Sequence, residues 1–414
     1  MTVRIALLTA DEVTSGPAEG SPAVAPDVEV RPLDARTLPV ERIQGADGLW
    51  VAPGAGPAAA AVVAWAHAAR VPVGGDTPGA PPWASPGLDP AFVDAARARS
   101  AWRTATDERV AAAEAVAAAE AEPRPFVHQM RGPRHRWWRP LLWLVVFALS
   151  YALLTVLVVL PLTFAGLVPA DEAELVGSAS GLAVLNLTLI LLVPSTLLAS
   201  WVAHRRSPWR VLSVAGRLRW GWLGWCLLVV VPVWAVYLAV SWVVFDQQVL
   251  PRPAEWAGLL ASALLLTPLQ ASAEEVFFRG GLLQAVGAWF RRPVVALVVT
   301  TLLTTALFAA AHGSADPWIV AELSALAVAG CWLAWRTGGL EAVIAVHVVN
   351  NVLITVAGSL FGGLDQSFVD AEATGSPASA AMAWLVTGLV TWVLLRLAVR
   401  RGVAPAGALT PARG

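Results

Sequence analysis

A mainly helical protein, with a polytopic bundle of eight membrane-spanning helices preceded by a small α/β-like region, is what this 414-residue sequence predicts. Three observations lead there. The chain is 57% hydrophobic and only 14% charged, with a mean hydropathy of +0.64, far more apolar than a soluble domain. Beyond residue 140, eight apolar runs recur at about 20 residues each, the length that crosses a bilayer as a helix. Between them, arginine-rich loops alternate with acidic ones.

Residues 1–76 come first and read differently. VRIALLTA from Val3, VEVRPL from Val28 and GLWVAP from Gly48 are short β-rich runs, followed by AAAAVVAWAHAAR from Ala58 and VPVGG from Val71. Three strands, a helix and a strand make part of an open α/β sheet. The run from Asp47 to Gly75 resembles the flavodoxin-like core of class I glutamine amidotransferases, where a helix leads into the strand before a nucleophilic cysteine. Gly74, Gly75 and Asp76 fill that turn here, and the first cysteine of the chain is Cys226. The region is therefore expected to be catalytically silent and, at most, to bind an unknown protein partner.

Residues 77–139 form the next division. Thr77–Pro90 is rich in Pro and Gly and reads as a linker, and residues 91–121 are strong helix formers, expected to connect. A basic juxtamembrane segment follows, with Arg131, Arg134, Arg136 and Arg139 beside Trp137 and Trp138, as at a cytoplasmic membrane boundary. The chain contains no lysine, which fits the codon bias of a GC-rich genome. A net charge of -1 gives no reason to expect a nucleic-acid partner. The apolar run before Asp11 is too short for a secretory signal, so the N-terminus is expected in the cytosol. Cys226 and Cys331 both fall in apolar runs, which leaves a disulfide framework or a cysteine-based metal site without support.

The eight spans fall at 140–162, 182–203, 221–245, 256–288, 294–312, 317–336, 340–358 and 380–399, within a membrane domain of 140–402 and before a disordered tail of 403–414. Arg205, Arg206, Arg210, Arg217, Arg219, Arg291, Arg292, Arg336, Arg400 and Arg401 all fall on one side. Asp171, Glu172, Glu174, Asp246, Asp316, Asp365, Asp370 and Glu372 fall on the other. The positive-inside rule then places both termini in the cytoplasm, and the expected location is the plasma membrane.

Three spans contain polar residues that hydropathy does not excuse. SAEEVFFRGG puts Glu274, Glu275 and Arg279 in the fourth span, where each acid at mid-membrane costs about 2.5 to 3.5 kcal/mol. Glu275 and Arg279 are spaced for an i, i+4 ion pair, while Glu274 points about 100° away around the helix. One acid looks structural and the other free for chemistry. ALFAAAHG ends the fifth span with Phe308 and His312, and AVHVVNNV in the seventh holds His347, Asn350 and Asn351. Asn351 shares a face with His347, and Asn350 is read as a helix contact. Gly280 and Gly281 would let a neighbouring backbone approach closely.

An acid, two imidazoles and an amide converging out of water suit hydrolysis, with Glu274 taking a proton from a water molecule that His312 helps to hold. His347 and Asn351 would donate to the oxyanion of a tetrahedral intermediate. The same residue types also build proton pathways, and a non-catalytic scaffold or immunity protein would retain the motifs for stability.

EEVFFR, FAAAH and HVVNN, in this order, resemble the EExxxR, FxxxH and HxxxN signatures of the CPBP or Abi family, the intramembrane proteases related to the type II CAAX prenyl endopeptidase. The resemblance spans about residues 140–400 and is strongest from Glu274 to Asn351. It implies a CAAX-protease-like intramembrane endopeptidase acting on a peptide or membrane-protein substrate in the bilayer. Glu274 would be catalytic, His312 its water-binding partner, His347 and Asn351 oxyanion stabilisers, and Glu275 with Arg279 supports. The family has been described both as metalloproteases and as glutamic proteases. Zinc on His312, His347 and a carboxylate is one option, but the chain lacks HExxH and asparagine is a poor zinc ligand, which favours chemistry without a cofactor.

Overall fold

A computed structural model of the protein describes residues 2–9, 27–34, 45–51, 59–75, 90–246, 248–364, 368–369 and 373–403. Most of the expected linker, Asp76, the acidic loop residues Asp365, Asp370 and Glu372, and the tail from residue 404 lie outside these. The chain divides into two units, Met1–Ala118 and Ala119–Gly414.

In the first unit, β1 (Val3–Thr9), β2 (Val28–Asp34), β3 (Gly48–Val51) and β4 (Val73–Gly75) form one parallel sheet in the order β2-β1-β3-β4. That is the order of the first four strands in a flavodoxin-like doubly wound sheet. Successive strand residues face opposite sides, and both sides are covered. Helix α1 (Ala59–Ala68) lays Val62 and Ala66 on Ala6, Leu49 and Val51. On the other side, the first turns of α2 (Pro90–Ala121) set Phe92 and Ala96 against Val3, Ile5 and Trp50, with the Trp50 and Phe92 ring centroids 5.0 Å apart.

This second cover differs from the connecting role expected of residues 91–121. Two apolar residues one turn apart, in a helix rich in alanine and charge, are too weak a stripe to announce a buried face. Ion pairs reinforce it: Arg97 reaches Asp27 at 2.9 Å, and Arg103 reaches the fully buried Asp47 at 3.0 Å.

The second unit contains eight helices long and apolar enough to cross a membrane. They are α3 (Arg139–Phe164), α4 (Ala179–His204), α5 (Trp220–Val244), α6 (Trp256–Gly287), α7 (Pro293–Ala311), α8 (Pro317–Thr337), α9 (Glu341–Phe361) and α10 (Pro377–Arg400). The predicted spans agree with these to within a few residues. Along α3, residues such as Leu149, Leu153 and Leu157 are exposed, the pattern of a helix that faces lipid. Helix α9 is buried over half its length and packs against α5, α6 and α8, so it places its polar residues inside the bundle.

Helix α6 is not regular. Asn186 from α4 donates to Ser262 and Thr267 at 3.1 and 3.3 Å where α6 is interrupted at Leu266. From Val276 to Leu282 it adopts a π-helical turn, a feature frequent at functional sites. The two glycines in that turn are there for close approach, as expected, but in different ways. A Cβ on Gly280 would lie 2.8 Å from the Val211 carbonyl oxygen, a backbone contact. One on Gly281 would lie 2.5 Å from the Trp143 ring and 2.6 Å from Thr196, so side chains and not backbone fill that space. Trp143 is fully buried and donates to Ser200 at 3.0 Å, which leaves it little room to move. Gly281→Ala should therefore destabilise the protein by about 1 to 3 kcal/mol through overpacking, read as a lowered melting temperature in detergent.

Ahead of α3, the turn Phe126–His128 is buried, with Val127 packed against Gly287. Burial, and then the Arg131 charge, depress the His128 imidazole to about 4, against a hydrogen bond with the Phe290 backbone. The folded state thus holds His128 neutral while the unfolded chain protonates it near 6.5. Stability contributed by this site is intact above pH 6.5 and falls as pH drops toward 4, by up to about 3 kcal/mol. In a pH series of melting temperatures, His128→Gln should flatten that part of the acid limb.

Candidate active site

Glu274 and Glu275 end the regular part of α6, Arg279 sits in the π turn, His312 caps the end of α7, and His347, Asn350 and Asn351 lie on α9. Glu275 and Arg279 are completely buried, and His347 is 2% exposed. Arg279 Nη1 donates to Glu275 Oε1 at 2.9 Å, the i, i+4 pair expected from spacing. Its guanidinium lies 4.6 Å above the Phe308 ring. That contact compensates a cation whose Nε and Nη2 find no hydrogen-bond acceptor.

Both acids meet one imidazole, an arrangement that spacing along a single helix does not reveal. His347 Nδ1 lies 2.7 Å from the same Glu275 Oε1, and His347 Nε2 lies 3.7 Å from Glu274 Oε2. The difference of about 100° in direction between adjacent residues thus sets one carboxylate at each ring nitrogen. With Nδ1 on Glu275, Nε2 is the ring nitrogen that faces Glu274.

Sequence reasoning missed Gln270. One turn before Glu274, it donates through Nε2 to Glu274 Oε1, and its Oε1 faces Asn351 Nδ2 at 3.5 Å. Asn351 Oδ1 accepts from Asn350 at 3.0 Å, and Asn350 Oδ1 accepts from Trp234 of α5 at 2.9 Å. Asn350 is therefore a helix contact, as expected, and also the anchor of Asn351. The i, i+4 spacing of Gln270 and Glu274 was the available signal. Another buried pair, Arg219 with Glu341 at 2.6 Å, ties the start of α9 to the start of α5 across 122 residues, with no local pattern to announce it.

His312 is half-buried and its Nδ1 bonds the Phe308 carbonyl at 2.8 Å. Phe308 stands between the two histidines, its ring centroid 4.7 Å from His312 and 5.8 Å from His347. The predicted residues Glu274, Glu275, Arg279, His312, His347 and Asn351 are thereby brought to one locality. Among the described residues, no group of three or more His, Cys, Asp and Glu side chains is placed to hold a metal ion.

The fold and this centre define a polytopic membrane protein with an acid and imidazole cluster buried between its helices. Residues 255–353 match the family model of the type II CAAX prenyl endopeptidase Rce1-like proteins, so the resemblance read from the three motifs is shown over the segment that holds all of them. Over 121 residues the chain is 36% identical to the uncharacterized protein YyaK of Bacillus subtilis (strain 168), a match covering 27% of this chain and 39% of YyaK. The chain thus spans about two fifths of the length of that curated relative. No solved structure matches.

Proposed function

We propose that the protein is an intramembrane endopeptidase, CAAX-protease-like in its centre, which hydrolyses a peptide bond with a water molecule activated by Glu274. The observation behind this reading is the pairing of Glu274 Oε2 and His347 Nε2 at 3.7 Å, too long for a direct hydrogen bond and wide enough for a bridging water. Such a water donates to Glu274 Oε2, accepts from His347 Nε2 and keeps a lone pair for a carbonyl carbon. Glu274 takes the proton. Gln270, bonded to Glu274 Oε1, leaves Oε2 as the oxygen that works. His312, whose Nδ1 is held by a backbone carbonyl, offers Nε2 to the same water. Asn351 Nδ2 and the N–H at His347 Nε2 then donate to the oxyanion, and the proton on Glu274 passes to the leaving amine.

The substrate in this reading is a peptide or the tail of a membrane protein, in the plasma membrane, with both termini of the enzyme in the cytoplasm. The α/β unit serves recruitment and not catalysis. The purified protein in liposomes should release peptide products from a membrane-anchored tail, transport no protons, and lose no activity when a chelator is added. Proton movement without product would overturn the hydrolytic reading. Chelator-sensitive cleavage, restored by zinc, would overturn its metal-free form.

A further inference from the structure

At the arginine-rich end of the bundle, two stretches far apart in sequence are locked together. Arg139, at the start of α3, donates from Nη1 to the His204 carbonyl at the end of α4 at 3.0 Å. A Cβ on Gly132 would come within 2.7 Å of Arg206 Nη1. Arg134, Arg136 and Arg139 from the entry segment are thus gathered with Arg205 and Arg206, while Arg131 donates to the Ala288 carbonyl. Among the described residues, Arg131, Arg136, Arg139 and Arg205 form no ion pair with a carboxylate. Like charges this close repel, and an anion brought among them would relieve that repulsion.

Two further features bear on what the anion is. Arg205 holds the left-handed backbone conformation, φ 51°, at a helix end where glycine is the usual residue. An arginine kept there, at a cost in backbone energy, points to a use for its side chain. Around it, Trp137, Trp138 and Trp201 are 70%, 44% and 59% exposed, and Arg139 lies 5.8 Å from the Trp138 ring. Exposed tryptophans mark the headgroup level of a bilayer.

We propose that this cluster is a binding site for the phosphate of an anionic phospholipid headgroup. The site is separate from the Glu274 centre, and holds the entry segment to α4. Burial, followed by the charges of Arg131, Arg139 and Arg136, keeps the His135 imidazole below its usual range, as a concentrated positive field requires.

The test is the melting temperature of the full chain in neutral detergent, titrated with phosphatidylglycerol, phosphatidylcholine or inorganic phosphate. Phosphatidylglycerol should give a saturable rise, and the other two should give none. Arg136→Gln with Arg205→Gly should weaken the apparent affinity for phosphatidylglycerol by roughly 30-fold, as the loss of two arginines near the surface implies. Arg205→Gly also relieves the backbone, so the lipid-free variant should remain folded. Arg400→Gln with Arg401→Gln, at the same end of the bundle, should bind as wild type does. An equal rise with phosphatidylcholine or with free phosphate would overturn the proposal. So would unchanged affinity in the first variant, or an equal loss in the second.

Discussion

Glu274→Gln should leave the protein folded and lower cleavage by about 10² to 10⁴-fold, the range that a positioned general base contributes. The substitution keeps the shape of the side chain, and an amide at 274 still meets Gln270 and faces His347. It also leaves the Glu275–Arg279 pair intact, because Glu274 takes no part in it. The melting temperature in detergent should therefore stay within a degree or two of wild type, since little buried surface or pairing changes. Retained cleavage in a folded Glu274→Gln protein would remove Glu274 from the reaction. Loss of folding would instead make the residue a structural support.

Arg279→Met has the opposite signature. It removes the guanidinium bonded to Glu275 and leaves a fully buried carboxylate with His347 as its partner among the described residues. Breaking a buried pair by deleting one partner costs about 3 to 5 kcal/mol, and the Phe308 ring loses the guanidinium stacked on it. Stability measured by unfolding in mixed micelles should fall by that amount. Adding Glu275→Gln to Arg279→Met should recover part of the loss, because the uncompensated charge goes with it. A single variant costing less than about 1 kcal/mol would show that Glu275 is satisfied by other means.

The eight spans, the Glu275–Arg279 pair and the three polar motifs were legible in the sequence, because each depends on spacing along one helix. Periodicity states which face a residue occupies. It does not state which helix that face meets. The contact of His347 with Glu275 joins positions 72 residues apart, its approach to Glu274 spans one more, and the pairing of Arg219 with Glu341 has the same character. The π turn that contains Arg279 was hidden for another reason. Its residues, VFFRGGL, are compatible with an ordinary helix, and no spacing in them marks the change of backbone pitch. In the α/β unit, β-rich runs gave away the strands, while the apolar part of α2's covering role rests chiefly on Phe92 and Ala96.

In the proposed reaction a water molecule, and no side chain, attacks the peptide carbonyl. A single turnover in H₂¹⁸O, followed by mass spectrometry of the product and of the peptide containing Glu274, tests it most directly. One ¹⁸O in the new product carboxylate and none in Glu274 is the predicted result. An unlabelled product with ¹⁸O in the Glu274 side chain would mean that the carboxylate itself had bonded to the substrate, and would contradict it.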